Sequence, residues 1–233
     1  MSDIANGNHL LQSLPAREYK SLLSKFELYP LVYAESIFEP GDKIRHVYFP
    51  ESGIISLLSV VEKRSSLEVG IVGNEGMVGL PLFLGTATSR QRAVVQGAGS
   101  SQRMSSKAFL SECESHSSLP ATLRRYTHSL ISQISQAAAC FRFHPVEKRL
   151  ARLLLMTADR MQSLEFPITQ EFLSHMLGVR REAVNRSAGG LQTRGLIKHS
   201  RGYISIIGRK NLMKASCSCY AIIRSEERAV QAL

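Results

Sequence analysis

The chain has 233 residues, 44% of them hydrophobic and 21% charged, with a formal net charge of +10. This composition excludes an intrinsically disordered chain; without an apolar run of 18 residues, or a basic and then apolar leader, neither a membrane span nor a secretion signal is expected. One or two domains, a cytoplasmic location and a polyanionic partner are the expectation. The charge is uneven: residues 141–214 hold fourteen Lys or Arg against five Asp or Glu, so 14 − 5 = +9 falls in that segment.

Residues 8–29 place Leu14, Leu22, Leu23 and Phe26 near helical spacing, with Pro15 suited to a first turn, which predicts a short N-terminal helix. From 31 to about 105 the runs "LVYAESIF", "IRHVYFP", "GIISLLSVV", "SSLEVGIV" and "RAVVQG" alternate with turn signals such as "PGD", "ESG" and "GNEG". Short strands at roughly regular spacing predict an antiparallel β-roll. A parallel sheet would need long helical segments between the strands, and none fits.

From 107 the period becomes helical, first in "SKAFLSEC" and then in "LPATLRRYTHSLISQISQAAACF". Leu119, Leu123, Tyr126, Leu130, Ile134, Ala137 and Phe141 form one stripe with the spacing of a coiled-coil seam. Such a stripe fits either a helix packed on its own domain or a dimerisation helix. Arg124, Gln133 and Gln136 opposite it, with the small residues 137–139, favour the dimer. Pro145 restarts the chain as a new helix, so the expected domains are a β-roll at 1–117, a dimerisation helix at 118–143 and a C-terminal domain at 144–233.

The segment "ITQEFLSHMLGVRREAVNRSAGGLQTRGLIKHSRGYISII" fits a helix-turn-helix followed by a β-wing. Thr169 can cap the first helix, whose apolar side is Phe172, Leu173 and Met176. Leu177-Gly178-Val179 supplies the turn. The second helix runs from about 180 to 194 with Ala183, Val184 and Leu191 inward, Gly195 ends it, and Arg201-Gly202 forms the wing tip. The start of such a second helix enters the major groove, where an Arg can bond guanine and a Glu can accept from cytosine N4. Arg181, Glu182 and Arg186 are therefore the candidate base readers. A carboxylate among cations repels phosphate, so Glu182 is better explained by base reading than by general attraction. Thr169, Arg180, Asn185, Arg194 and Arg201 are the candidate backbone contacts. Gly189-Gly190 inside the helix costs about 1 kcal/mol per glycine against alanine and reads as close packing, a softened helix or idiosyncrasy.

"ITQEFLSHMLGVRREAVNR…GLI" resembles the Crp/Fnr family of bacterial transcription regulators, and the order of roll, long helix and winged helix-turn-helix extends the resemblance over nearly the whole chain. The overall expectation is an α+β fold. The resemblance implies a homodimer on palindromic double-stranded DNA, with RNA polymerase as a further partner. The family's Arg-Glu-x-x-x-Arg pattern falls on Arg181, Glu182 and Arg186, while Arg180 stands where Ser is common and so suits phosphate.

The roll resembles a cyclic-nucleotide-binding fold, and residues 73–96 correspond to its phosphate cassette. There Gly76 and Gly79 keep the turn character, and Arg92 lies near the phosphate-binding Arg. Leu80 replaces the Glu that holds the ribose, and a buried unpaired hydroxyl costs about 1–3 kcal/mol, so tight cyclic AMP binding is not expected. Gly79, Leu80 and Arg92 are the candidate effector pocket, with the effector unidentified.

No cofactor or metal is expected. No cysteine precedes Cys113 to hold an iron–sulfur cluster, and His46 is a lone roll histidine. His128 and Cys140 on the long helix could respond to redox change, with structural burial the usual case for the cysteine. Cys217-Ser218-Cys219 matches no common zinc spacing without partners, and on one helix the two thiols would point about 200° apart, leaving core packing as the default. An enzyme is disfavoured by the lack of Gly-x-Ser-x-Gly, P-loop and His-Glu-x-x-His patterns. A sensor that acts through protein partners without reading DNA is the alternative.

Overall fold

The computed structural model describes residues 7–62, 65–200 and 202–231; Arg201, expected at the wing tip, lies outside the described residues. Two compact units divide the chain, one of residues 1–57, 71–131 and 227–233 and the other of 58–70 and 132–226. This division departs from the expected boundaries at 117 and 143. It runs through the long helix and groups 58–70 with the C-terminal residues.

The first unit opens with α1 (His9–Gln12) and α2 (Ala16–Leu23), two short helices where one was expected. Leu14 precedes Pro15, and the residue before proline disfavours helical backbone, so the helix breaks there. Asn8 caps α1 by accepting from Leu11 N–H, and its buried amide donates to the Pro50 and Gly76 carbonyls at 2.9 and 2.7 Å. Residues 27–29, read as the end of that helix, lie instead in β1 (Glu27–Leu31).

β2 (Ser36–Phe38), β3 (His46–Pro50), β5 (Ser65–Val72) and β6 (Arg92–Gly97) fall within the expected apolar runs, and β4 (Ile54–Glu62) passes the end of its run by one residue. β7 (Gly99–Ser105), "GSSQRMS", gave no such signal, yet it is the central strand of the antiparallel sheet β1-β7-β3. Pairing on both edges overrides its weak propensity. The second sheet runs β2-β6-β4-β5. Phe38, Ile44, Val47, Phe49, Ile54, Val95 and Met104 are buried in the roll.

α3 (Ser106–Ser115) leads into α4 (Ser118–Phe143), the expected long helix. Its heptad stripe, expected as a dimer seam, is largely covered by the chain itself. Leu119, Leu123, Tyr126, Leu130 and Ala137 are buried within the single chain, and Ile134 is half-buried. The Tyr126 hydroxyl donates to the Met77 carbonyl at 3.0 Å, and a Cβ at Gly76 would collide with the Tyr126 ring. A heptad stripe reports burial but not the partner, and here the helix's own chain is the partner. The exposed face is Arg124, His128, Ile131, Ser135, Ala138 and Arg142, again at intervals of four and three.

In the second unit, α5 (Val146–Met161) is the central helix, with Leu150, Leu153, Leu154 and Leu155 buried. β8 (Glu165–Pro167), α6 (Gln170–Leu177), α7 (Arg181–Thr193), β9 (Ile197–Ser200) and β10 (Tyr203–Ile206) follow, the strands forming an antiparallel sheet β8-β10-β9. α8 (Arg209–Ala215) and α9 (Cys219–Gln231) complete it. Asp159 of α5 ties these last helices down: it accepts from Arg209 at 2.5 Å and Tyr220 at 2.9 Å and pairs with Arg224. Among the described residues no helix is long and apolar enough to cross a membrane.

Candidate nucleic-acid interface

The Thr169 hydroxyl accepts from the Phe172 N–H at 3.1 Å and starts α6. Leu173, Met176 and Leu177 are buried, and Gly178 then ends the helix at φ +60°, a left-handed conformation that glycine adopts without a Cβ penalty. Val179 and Arg180 carry the chain into α7, with Arg180 at the N-cap. Val184, Ser187, Ala188 and Leu191 turn inward, which fixes the opposite face outward.

That outward face carries Arg181, Glu182, Asn185 and Arg186, all exposed. Among the described residues none of the four makes a side-chain hydrogen bond or ion pair within the chain, and the same is true of Arg180. Three guanidiniums, a carboxylate and an amide therefore stand unpartnered at the start of one helix. α5 fixes the far end of that helix. Arg194, its C-cap and an expected phosphate contact, is bonded to Glu147 at 2.6 Å and to the Gly190 carbonyl at 3.3 Å. Its position joins the two helices and leaves less of its charge for a phosphate.

The glycine pair splits between the readings. A Cβ at Gly189 would meet nothing within 4 Å, so close packing does not explain it; one at Gly190 would lie 2.6 Å from the Glu147 carboxylate. The wing turn approaches the start of α6, since the Ile168 N–H donates to the Gly202 carbonyl at 2.7 Å and a Cβ at Gly202 would lie 3.7 Å from Thr169. Thr169 and the wing thus share one edge. His199 at the base of the wing is shifted below the usual imidazole range by burial, which favours its neutral form.

The expected effector residues are engaged within the roll. Gly79, at φ +104°, starts a short 3-10 turn over Leu80–Leu82, and Leu80 is buried in the roll. Arg92 is held by Glu39 at 2.7 Å. Two surface cavities of the first unit lie elsewhere, one lined by His9, Leu10, Glu75, Thr122 and Tyr126, the other by Phe38, Lys43, Arg45, His46 and Tyr48.

One group of side chains escaped the sequence reading. Cys140, His144, Cys217 and Cys219 bring their sulfur and ring-nitrogen atoms within 4.8 Å of one another. The expectation that Cys217 and Cys219 point apart fails because the helix is broken between α8 and α9. Cys140 and His144, one turn apart at the end of α4, were the available signal: a Cys-x-x-x-His pair and a Cys-x-Cys pair read together. Cys140 and Cys217 share a hydrogen bond at 3.5 Å, which holds Cys217 below the usual thiol range and Cys140 above it.

Comparison with known proteins places these units. The model of the Crp-like helix-turn-helix domain matches residues 148–215, and that of the cyclic nucleotide-binding domain matches residues 33–116. Among solved structures, FixK2 from Bradyrhizobium japonicum has a TM-score of 0.69 at 14% identity, covering 82% of this chain and 98% of its own. A Crp/Fnr family regulator from Eubacterium rectale has a TM-score of 0.68 at 17% identity, covering 88% and 96%. CLP of Xanthomonas campestris, described as a c-di-GMP responsive global regulator, has a TM-score of 0.62 at 19% identity, covering 83% and 100%. No curated protein sequence matches.

Proposed function

From the premise that this chain belongs to the Crp/Fnr family of transcription regulators, with a helix-turn-helix DNA-binding domain, we propose that it acts as a homodimer reading a two-fold palindromic site. The observation that carries the reading is the unpartnered face of α7. Arg181, Glu182 and Arg186 reach base edges there, while Arg180, Asn185, Thr169 and the wing residue Arg201 meet the sugar-phosphate backbone. A charged side chain left without an internal partner on an ordered helix is available to an external one.

Dimerisation uses the exposed α4 face centred on Ile131 rather than the buried stripe. In family terms the roll is the sensory part, the long helix the dimerisation element and the C-terminal residues from 144 the reader, with RNA polymerase the partner downstream. The roll does not bind cyclic AMP tightly: Leu80 offers a ribose no acceptor, and Glu39 already holds Arg92.

Selection from a random duplex pool at fixed salt, with and without cyclic AMP, tests the reading. An enriched palindrome in both arms supports it. Enrichment only with the nucleotide would overturn the inference from Leu80 and Arg92. No preference over random DNA in either arm would overturn specific reading and favour a sensor acting through protein partners.

A further inference from the structure

The second unit holds a group of ligand atoms that DNA reading does not use. Cys140 lies in the last turn of α4 and His144 directly follows that helix, Cys217 lies in the break before α9, and Cys219 begins α9. We propose that Cys140, His144, Cys217 and Cys219 bind one zinc ion in a closed, tetrahedral Cys3His site.

The spacing fits a single ion. Zinc arms of about 2.3 Å to sulfur and about 2.0 Å to nitrogen give tetrahedral edges of about 3.8 Å between sulfurs and about 3.5 Å between sulfur and nitrogen. Cys140 Sγ lies 3.5 Å from Cys217 Sγ, Cys219 Sγ lies 3.5 Å from His144 Nδ1, and all four atoms fall within 4.8 Å of one another. Ligands this convergent serve one ion rather than the separate irons of a cluster. A disulfide would engage two of the four and needs sulfurs about 2.05 Å apart. Simple apolar burial accounts for thiols but not for an imidazole nitrogen aimed among them.

The surroundings suit the same occupant. Three thiolates, a neutral imidazole and Zn2+ sum to a charge of −1. Arg149 and Arg152 of α5 are buried, interact electrostatically with the thiols, and each leaves a buried Nε without a hydrogen-bond partner. Arg152 finds only the Met156 sulfur as an acceptor among the described residues, a weak partner for a buried cation. An anionic zinc–thiolate centre supplies the missing countercharge. Gln136 donates from Nε2 to Cys219 Sγ at 3.1 Å, the kind of outer hydrogen bond that steadies a thiolate ligand. Cys140, Cys217 and Cys219 are each at most 5% exposed and the four protein ligands leave no open position, which makes the site structural rather than catalytic. The ion joins residues 77 positions apart in sequence and pins the start of α9 to the end of α4.

The test uses the full chain, purified anaerobically without chelator or metal-affinity tag. About one zinc per chain by elemental analysis is expected, falling at least tenfold in the Cys217→Ser, Cys219→Ser double variant. Should that variant fail to fold, the unaltered chain still decides. Stripped under reducing conditions and titrated with Co2+, it should bind one equivalent with the intense visible bands of tetrahedral cobalt and sulfur-to-metal charge transfer. A fully reduced chain that takes up no Co2+, or takes it up without sulfur charge transfer, overturns the proposal. So does a Cys140–Cys217 disulfide found in the anaerobic preparation. These readouts do not depend on DNA binding, so the site and the proposed function can fail separately.

Discussion

Replacing Gly189 by alanine is expected to stabilise the second unit. Gly189 lies in the ninth position of the 13-residue helix α7, where glycine costs about 1 kcal/mol against alanine through backbone entropy. The usual reason to retain it, close approach of a neighbour, is absent because a Cβ there would meet nothing within 4 Å. Gly190 is the internal control. Its added Cβ would fall 2.6 Å from Glu147 Oε2 and displace the carboxylate that holds Arg194. That ion pair is more than a third exposed at both ends and contributes only about 0.5 kcal/mol, so the helix gain is partly offset. Gly189→Ala should therefore raise the melting temperature by about 2–4 °C, and Gly190→Ala by about half of that or less. Differential scanning calorimetry of the free protein checks both. Equal gains would show that Glu147 yields without cost, and a loss at Gly189 would refute the reasoning that its site is open. Affinity for the selected DNA site then separates the functional meanings. If softness in α7 serves fitting to DNA, Gly189→Ala changes affinity while stabilising the free chain; an unchanged affinity removes that role.

Other substitutions address the remaining contacts. Arg181→Ala should flatten base preference at one position in each half-site by about 5- to 150-fold, read by binding to single-base variants of the selected site; undiminished preference would remove Arg181 from base reading. Arg194→Ala should leave the salt slope of binding unchanged, whereas a slope lower by about 0.9 per contact would assign that guanidinium to a phosphate. Ile131→Asp should weaken the dimer at least about 30-fold in sedimentation equilibrium, because about 1 kcal/mol of apolar burial is lost on each symmetric copy; an unaffected dimer would place the interface elsewhere. Asn8→Ala should cost about 3 kcal/mol in urea denaturation, since it removes a cap and strands the Pro50 and Gly76 carbonyls. Asp159→Asn should cost about 3 kcal/mol by leaving Arg209 and Arg224 without their carboxylate, checked the same way.

Local chemistry was legible in the sequence where one segment determines its own outcome. Thr169, Gly178 and Gly195 mark the ends of α6 and α7 through caps and left-handed turns, and these are properties of a few adjacent residues. What depended on distant partners was not legible. β7 forms because β1 and β3 pair with it, and nothing in "GSSQRMS" announces that. The stripe on α4 was visible, but periodicity is the same whether the covering surface belongs to this chain or to a second copy. The cysteines obey the same rule: on one continuous helix Cys217 and Cys219 would point apart, and only the break between α8 and α9 lets both face Cys140 and His144. Arg194 shows the limit from the other side, since its charge was evident and its engagement by Glu147 was not.

The basic character of the second unit overstates its pull on DNA for the same cause. Of the fourteen Lys and Arg in 141–214, Arg149, Arg152 and Arg160 are buried, and Arg194 and Arg209 are held by Glu147 and Asp159. Five of fourteen thus serve the fold, which leaves at most 14 − 5 = 9 for an external partner. Counterion release registers only the groups that reach phosphates, so the salt dependence should follow the smaller number. On the proposed reading, discrimination among sites comes from the few side chains at the start of α7. Glu182 has its place in that arrangement. A regulator that relied on charge alone would gain by losing the carboxylate, whereas one that reads a base pair with Arg181 and Arg186 beside it can use a group that rejects most sequences.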